Sequence, residues 1–542
     1  MRPKQNMNKQ IYNQFYRKHG QNVHLDPERF KLIASLCRGD VLDLGCGTGD
    51  LAKFYTGNYV GVDISDVAVE IARKQDLKHA RFYEGDATQP LEMEGRPFDT
   101  IVMAEFLEHI KDDKVVFENV KKWSGSNTRL VISVPNGDRV PDKNHLRAFT
   151  MPQLRKRFSV LGRVRFYNWP GVPYRLIMSV DLNEDPRDLI SLVMIVKDEQ
   201  KGLERAILST INFVDNIAIS VDSKSKDKTL EIARRYADQL KTFVWQDNFA
   251  KARNDAQEGI KTKWILALDG HEFVDKAENL DTMLEKDVDA LMVPLLLENG
   301  KEFFNCRIYR SYCRWKFQVH NAIEIKSYAK YKEFLIKHDR PGGQAISSIN
   351  ERTKQRDEMM VRVLTDNIKK DKKDARSLFY LARHYYNIQN WKKAIKWYNK
   401  YLKVSTFKGE LWLACYEAAI CSNARGKHLT ALKYLYKAEK IMPNRWEIAK
   451  QLGMTYALFG RWEKAISFLV DSFKINTGDF IFNPEQRDDA NTWDIIGVSF
   501  LQLGQHKKSI VAWEEALKNE SDPMKIKLLK KRIELLNRGL IT

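Results

Sequence analysis

From residue 1 to about 180, short apolar, β-rich runs alternate with stretches of helical period, and this alternation predicts a doubly wound parallel sheet. The predicted strands are Val41 to Leu44, Tyr59 to Asp63, Ala80 to Gly85, Phe98 to Ala104 and Thr128 to Val134. Asp181 to Asp188 (DLNEDPRD) is polar, contains Pro186 and predicts a linker. A second alternating unit opens on the apolar run Leu189 to Val196. Further strands are predicted at Asn216 to Val221, Thr242 to Gln246, Lys263 to Leu268 and Val288 to Leu297. From about residue 355 only helical periodicity remains. The expected fold class is α/β for the first two segments and all-α for the third, divided as 1–182, 189–350 and 355–542.

The helical segment repeats itself. Ala394, Ala431, Ala465 and Ser509 align at spacings of 37, 34 and 44 residues. The last unit carries Trp493, Ile496, Gly497, Phe500, Gly504, Trp513 and Ala516, and the third carries Leu452, Gly453, Tyr456, Gly460 and Ala465. Looser versions hold Leu378, Leu381, Ala382, Tyr385, Ala394 and Tyr398, then Ala418, Ala419, Gly426, Leu435, Ala438 and Pro443. Small residues at these places let paired helices approach, and large ones fill the gaps between neighbours, so the aromatics read as core. The segment resembles tetratricopeptide repeats, which implies a concave surface for an acceptor or a protein partner.

Composition narrows the class. A length of 542 residues predicts three to four folding units. With 43% hydrophobic and 30% charged residues, 27 Gly and 15 Pro, the chain is neither disordered nor collagenous. No run approaches the ~18 apolar residues of a membrane span. The opening MRPKQNMNKQ has basic residues with no apolar stretch behind them, so a soluble, unexported, cytoplasmic protein is expected, with peripheral membrane contact left open. Six scattered cysteines without a CxxC pair exclude a disulfide framework and a cysteine zinc site. The net charge is +19, but Lys and Arg are interleaved with Asp and Glu, and the densest cluster, Lys369 to Asp374 (KKDKKD), reads as a solvated face. Substrates carrying phosphate or a lipid headgroup suit this charge better than nucleic acid does.

The first chemical constellation is Val41 to Gly49 (VLDLGCGTG), which sets three glycines between a strand and a helix, where backbone must pass close to a ligand. Asp63 follows 20 residues after Asp43 at the end of the next strand, where a carboxylate can take both hydroxyls of a ribose. Asp86 follows the third strand in EGDAT, and the fourth ends in AEFLEHI with Glu105, Glu108 and His109. Together these residues resemble the class I S-adenosylmethionine-dependent methyltransferases over roughly residues 35 to 175; nicotinamide-binding folds carry GxGxxG instead. The resemblance implies that Asp43 with the Gly45, Gly47 and Gly49 loop holds the methionine part of S-adenosylmethionine, Asp63 the ribose, Asp86 with Ala87 the adenine, and Glu105 the rim near the methyl group. Ala104 to Leu107 replaces the Asn/Asp-Pro-Pro-aromatic motif of DNA amino-methyltransferases, so a DNA substrate is disfavoured. SVPNGD (Ser133 to Asp138) and NHLRAFT (Asn144 to Thr150) look like the branch acting on small molecules, quinones and sugars. Asn144, His145 and Arg147 serve equally well as an acceptor pocket or as the cap of a helix near Pro152.

In the second unit, apolar strands deliver polar groups to the carboxyl edge of a sheet: Lys197, Asp198 and Glu199 after the first, and Asp222, Ser223 and Asp227 after the second. Trp245 to Asn254 (WQDNFAKARN) and Trp264 to Glu272 (WILALDGHE) follow. These stretches, in this order, resemble glycosyltransferase family 2, the inverting GT-A fold, and its branch with C-terminal tetratricopeptide repeats. The resemblance implies a nucleotide-sugar donor with Glu199 and Asp222 near base and ribose, Arg253 and Asn254 near the donor, and Asp269 on a divalent metal at the diphosphate. The family reads Asp-x-Asp-Glu where this chain has Asp269-Gly270-His271-Glu272. Asp269 with His271 as ligands suits Mn²⁺ better than Mg²⁺, which prefers oxygen. For the catalytic base, His320 is the first candidate and Glu324 the second, although His320 or His338 could equally contact metal or diphosphate.

The expected function is a bifunctional transferase that adds a sugar to a glycan, glycolipid or peptide and methylates the glycan or its precursor. The alternatives are a methyltransferase whose second unit only binds a sugar nucleotide, and a repeat scaffold whose catalytic folds are relics.

Overall fold

The computed structural model describes residues 3–20, 26–90, 97–137, 139, 145–168, 174–185, 188–298, 300, 302–338, 346–475 and 488–540. The chain separates into two compact units, Met1–Lys316 with Ala322–Gly343, and Phe317–Asn321 with Gln344–Thr542.

The first unit holds two sheets. The N-terminal one is built from β1 (Val41–Leu44), β2 (Tyr59–Asp63), β3 (Ala80–Glu84), β4 (Phe98–Ala104), β5 (Ser124–Pro135), β6 (Gly162–Tyr167) and β7 (Arg175–Leu182) in the order 3-2-1-4-5-7-6. The first five strands pair in parallel and β7 runs antiparallel between β5 and β6. All four residues of β1 are buried, as a strand covered on both faces requires. Each fully buried aliphatic side chain contributes roughly 1.5–3 kcal/mol. Chain order reverses beside β1, which places its carboxyl end at the switch point where α/β folds bind ligands.

The five strands expected here are present; β6 and β7 were not anticipated. Asp181 and Leu182, expected to begin the linker, instead end β7. The reason is electrostatic: the buried Asp181 carboxylate pairs with Arg129 at 2.7 Å and with Arg165, which fixes an otherwise polar stretch in the sheet. Pro186 lies outside the described residues.

The second sheet uses β8 (Ile190–Val196), β9 (Asn216–Asp222), β10 (Gln239–Phe243), β11 (Trp264–Ala267), β12 (Glu272–Ala277), β13 (Ala290–Leu296), β14 (Glu302–Arg310), β17 (Tyr328–Lys330) and β18 (Phe334–His338). Its order is 10-9-8-11-14-13-18-12 with β17 beside β13, parallel across β10, β9, β8 and β11 and antiparallel from β11 to β14. The short hairpin β15 (Trp315–Lys316) and β16 (Ala322–Ile323) stands apart. The strand expected at Thr242 to Gln246 sits three residues earlier, because parallel pairing with β9 sets its register.

The second unit is helical, with pairs Ala375–Asn387 and Trp391–Val404, Lys408–Ala424 and His428–Ile441, Trp446–Leu458 and Trp462–Lys474, and Asp489–Gln502 and His506–Asn519. Ala394, Ala431, Ala465 and Ser509 are all fully buried near the start of the second helix of each pair, as the repeat alignment requires. Gly504 turns the last pair at φ +67°, a conformation in which other residues are strained; Gln389 stands at +57° in the turn of the first. A Cβ on Gly497 would fall 2.4 Å from Nε1 of Trp513. Gly497→Ala is therefore expected to destabilise the helical unit by about 1–3 kcal/mol, read as a lowered melting midpoint.

Candidate functional site

The loop after β1 turns on Gly45, Gly47 and Gly49, all at positive φ. Amides of Gly45 and Cys46 donate to the carbonyl of Val62 at 2.8 and 3.1 Å, which ties the loop to the end of β2. Asp63, the last residue of β2, is buried and completes the fastening: its carboxylate accepts from the amides of Gly47 at 2.8 Å and Ser65 at 2.9 Å. Gly47, at φ +53°, has the Tyr16 hydroxyl 2.9 Å from where its Cβ would be.

Asp43 is 3% exposed and accepts from the Tyr59 hydroxyl, while its Oδ1 has no partner. Burial pushes its carboxyl up to about 7 against the pull of that hydrogen bond. Since the folded state then holds the proton more tightly than the unfolded chain, this group's contribution to stability is present at pH 4 and is lost as pH rises towards 7. The stability of Asp43→Asn relative to wild type is expected to rise by a few kcal/mol between pH 5 and 8, measured by urea unfolding. Parallel curves would contradict the burial of this charge.

Asp86 accepts from the amide and hydroxyl of Thr88 at 2.9 and 2.6 Å, and the carbonyl of buried Ala87 accepts from Asn119. Glu105 follows β4 at φ +52°. Its carboxylate accepts from Ser133 at 3.0 Å and Arg175 at 3.0 Å, with Arg29 at 3.6 Å. Neither Arg29 nor Arg175 belongs to a motif, and sequence reasoning missed both. Glu108, His109 and His145 converge beside it. Arg147 pairs with Asp113 at 2.9 Å, and Thr150 with Gln153 forms the capping box of helix Met151–Phe158. Asn144 lies outside the described residues.

At the carboxyl edge of the second sheet, Asp222 ends β9, is 3% exposed and lies 3.4 Å from Lys197. Glu199 lies 3.3 Å from His271 Nδ1, which brings the loops after β8 and β11 together. Gly270 makes that approach feasible, since a Cβ there would fall 2.7 Å from Cγ of Glu199. The His271 ring meets His338 edge-on at 4.5 Å.

Asp269 accepts from Arg253 at 2.7 Å and lies 3.6 Å from Arg307. Burial pushes its carboxyl up, but the two guanidiniums outweigh it and hold the group well below the usual carboxylate range. Glu272, 2% exposed, accepts from the Asp269 amide at 2.9 Å and pairs with Arg307. Sequence reasoning missed Arg307, which sits in β14 with no motif around it. Asp269 fits a divalent ion as an ionised, partly open ligand; His271 has its Nδ1 turned to Glu199.

Arg253 also lies over the Trp315 ring at 4.8 Å. Asn254 spends its amide on the backbone of Trp315, donating at 2.9 Å and accepting at 2.9 Å, and so pins the hairpin beside Arg253. Glu324 is exposed and paired with Lys316 at 2.5 Å. His320 belongs to the helical unit: its ring stacks on Tyr380 at 3.9 Å and its carbonyl accepts from Arg376 at 3.2 Å. The residue is exposed at its edge, but desolvation where the ring stacks on Tyr380, then the charges of Arg376, Arg383, Arg356 and His384, push its imidazole down.

Comparison with known proteins follows this division. Residues 24–169 match the family described as a methyltransferase domain, and residues 191–349 match glycosyl transferase family 2. A TPR repeat-containing protein of Synechococcus elongatus is 39% identical over 83 residues, 15% of this chain and 20% of the relative. An uncharacterized glycosyltransferase of Rickettsia bellii is 34% identical over 87 residues, 16% of this chain and 29% of the relative. The chain thus spans less than a third of the length of either curated relative. Among solved structures, MamA is 20% identical with a TM-score of 0.27, covering 32% of this chain and 95% of that one. YcgJ from Bacillus subtilis is 21% identical with a TM-score of 0.24, covering 26% and 70%. The chain carries a methyltransferase domain and a glycosyl transferase family 2 domain, followed by a C-terminal region of paired helices.

Proposed function

We propose that the chain is a bifunctional glycan-modifying enzyme. The second domain transfers a sugar with inversion from a nucleotide-sugar donor to a glycan, glycolipid or peptide, and the first methylates that glycan or its precursor. The observation that carries the coupling is that both domains belong to one compact unit and are bonded through buried groups. Asn136, directly after β5, donates to the Tyr236 hydroxyl at 2.9 Å, which donates to Glu204 at 2.7 Å. Arg139 meets the same Glu204 at 2.6 Å, and Arg155 meets Asp238 at 3.1 Å. Asn136 and Tyr236 are fully buried, so the hydrogen bond between the two domains is shielded from water.

In the methyl-transfer site, S-adenosylmethionine supplies the methyl group. Asp63 positions the glycine loop and takes the ribose hydroxyls, Asp86 and Ala87 face the adenine, and Glu105, fixed by Arg175, Arg29 and Ser133, closes the rim. In the sugar-transfer site, Asp269 would hold a divalent metal, which would supply positive charge to the diphosphate leaving group. Arg253 and Arg307 fix the Asp269 carboxylate, while Glu199 and Asp222 flank the nucleoside. Of the two candidates for the base that takes the acceptor's proton, Glu324 lies in the same unit as Asp269 and fills that role. The helical repeats supply a surface for the acceptor or a protein partner. Among the described residues no helix is long and apolar enough to cross a membrane.

A donor screen tests the sugar-transfer half. Purified protein is incubated with UDP-, GDP-, dTDP- and CMP-sugars, with and without Mn²⁺, and nucleotide release is read. Slow hydrolysis of one donor that stops on chelation supports the reading. Silence across all donors with S-adenosylmethionine binding intact supports the lone methyltransferase instead.

A further inference from the structure

One buried acid on the methyl-transfer side lies outside both the glycine loop and the rim carboxylate. Glu108 is 1% exposed, and neither of its carboxylate oxygens has a hydrogen-bond partner. Burying such a group unpaired is costly, and proteins that keep one usually give it a cation. Ligand atoms of Glu108, His109 and His145 all lie within 4.8 Å of one another, with the two imidazole rings 5.1 Å apart.

The backbone builds this convergence. Glu108 and His109 lie on the short turn Leu107–His109, and the Glu108 carbonyl accepts from the amides of Leu146 at 2.8 Å and Arg147 at 3.2 Å. Arg147 is held in turn by the Leu107 carbonyl at 3.0 Å and Asp113 at 2.9 Å. The residue with the orphaned carboxylate thus pins, through its own carbonyl, the segment that delivers His145. Glu105, beside this convergence, is itself engaged by Ser133 and Arg175.

We propose that Glu108, His109 and His145 bind a divalent transition cation of the Zn²⁺ or Mn²⁺ class. Two imidazoles and one carboxylate suit these ions, whereas Mg²⁺ and Ca²⁺ favour oxygen, and three protein ligands leave a position open. The role of the ion rests on the methylation reading above: an acceptor hydroxyl takes the open position and is acidified there. The S–CH₃ bond breaks as the O–CH₃ bond forms, the hydroxyl proton passes to water, and S-adenosylhomocysteine leaves uncharged at sulfur. The acceptor chemistry is therefore an alcohol, as on a sugar ring.

The test uses the full chain carrying Asp269→Ala, so that the sugar-transfer ligand does not contribute. Zn²⁺ and Mn²⁺ are titrated against a chromogenic chelator, and Co²⁺ by its visible spectrum. One bound equivalent is expected, with a Co²⁺ spectrum of mixed nitrogen and oxygen ligation and affinity weakened at least about tenfold in His145→Ala and Glu108→Gln. Equal affinity in these variants, or a Co²⁺ spectrum unchanged from the aqueous ion, overturns the site. S-adenosylmethionine binding is measured alongside. A chain that binds the cation but not S-adenosylmethionine keeps this site and overturns the methylation reading.

Discussion

Asp269→Ala is expected to lower sugar transfer by about a thousandfold or more, the loss that follows when several kcal/mol of charge stabilisation is taken from a departing diphosphate. Asp269 is the ionised group at the carboxyl edge of β11, and Arg253 and Arg307 hold it in that state. Removing it also leaves two largely buried guanidiniums with Glu272 alone to balance them. Some loss of stability will accompany the loss of activity, so the variant is compared with Asp269→Asn, which keeps the shape and an acceptor for Arg253 but not the charge. Both are expected to be inactive in donor hydrolysis while binding S-adenosylmethionine normally, which shows that the first unit is folded. Turnover within about tenfold of wild type in Asp269→Asn would remove the metal from this account.

The second large effect is expected at Asp63. Its carboxylate fastens the glycine loop through Gly47 and the following helix through Ser65, and in the proposed reading it also takes the ribose. Charge-assisted hydrogen bonds contribute roughly 1.5–3 kcal/mol each, so Asp63→Ala is expected to weaken S-adenosylmethionine binding by about a hundredfold or more. Asp63→Asn keeps one acceptor oxygen and is expected to lose less. Calorimetry on both variants, with donor hydrolysis as the control for the second domain, reads the difference. Undiminished affinity in Asp63→Ala would place the ribose elsewhere.

Much of this was legible in the sequence because local pattern and local structure coincide. The glycine loop, Asp63 and Glu105 lie at strand ends, where hydrophobic runs stop and polar residues begin, and β1, β2 and β4 have the expected boundaries. The repeats were visible because each buries the same small residue. Long-range partners were not legible. Arg307 reaches Glu272 and Asp269 across the sheet from β14, and Arg29 and Arg175 reach Glu105 from a helix and an antiparallel strand; none has a neighbour in sequence that marks it. The end of β7 was missed for the same reason, since Asp181 looks like linker until Arg129 and Arg165 are beside it. His320 follows the GT-A motifs in sequence, while its stacking on Tyr380, 60 residues further along the chain, joins it to the helical unit. The bonds of the Asn254 amide to the Trp315 backbone join residues 61 apart and carry no local mark either.

If one product carries both modifications, surface glycans from cells expressing wild type or Gly47→Val differ in methylation alone. The substitution puts a branched side chain at φ +53° against the Tyr16 hydroxyl, in the glycine loop after β1. Mass spectrometry should find the transferred sugar in both strains and its methyl group only with wild type. A glycan methylated to the same extent in the Gly47→Val strain would contradict the coupling of the two domains.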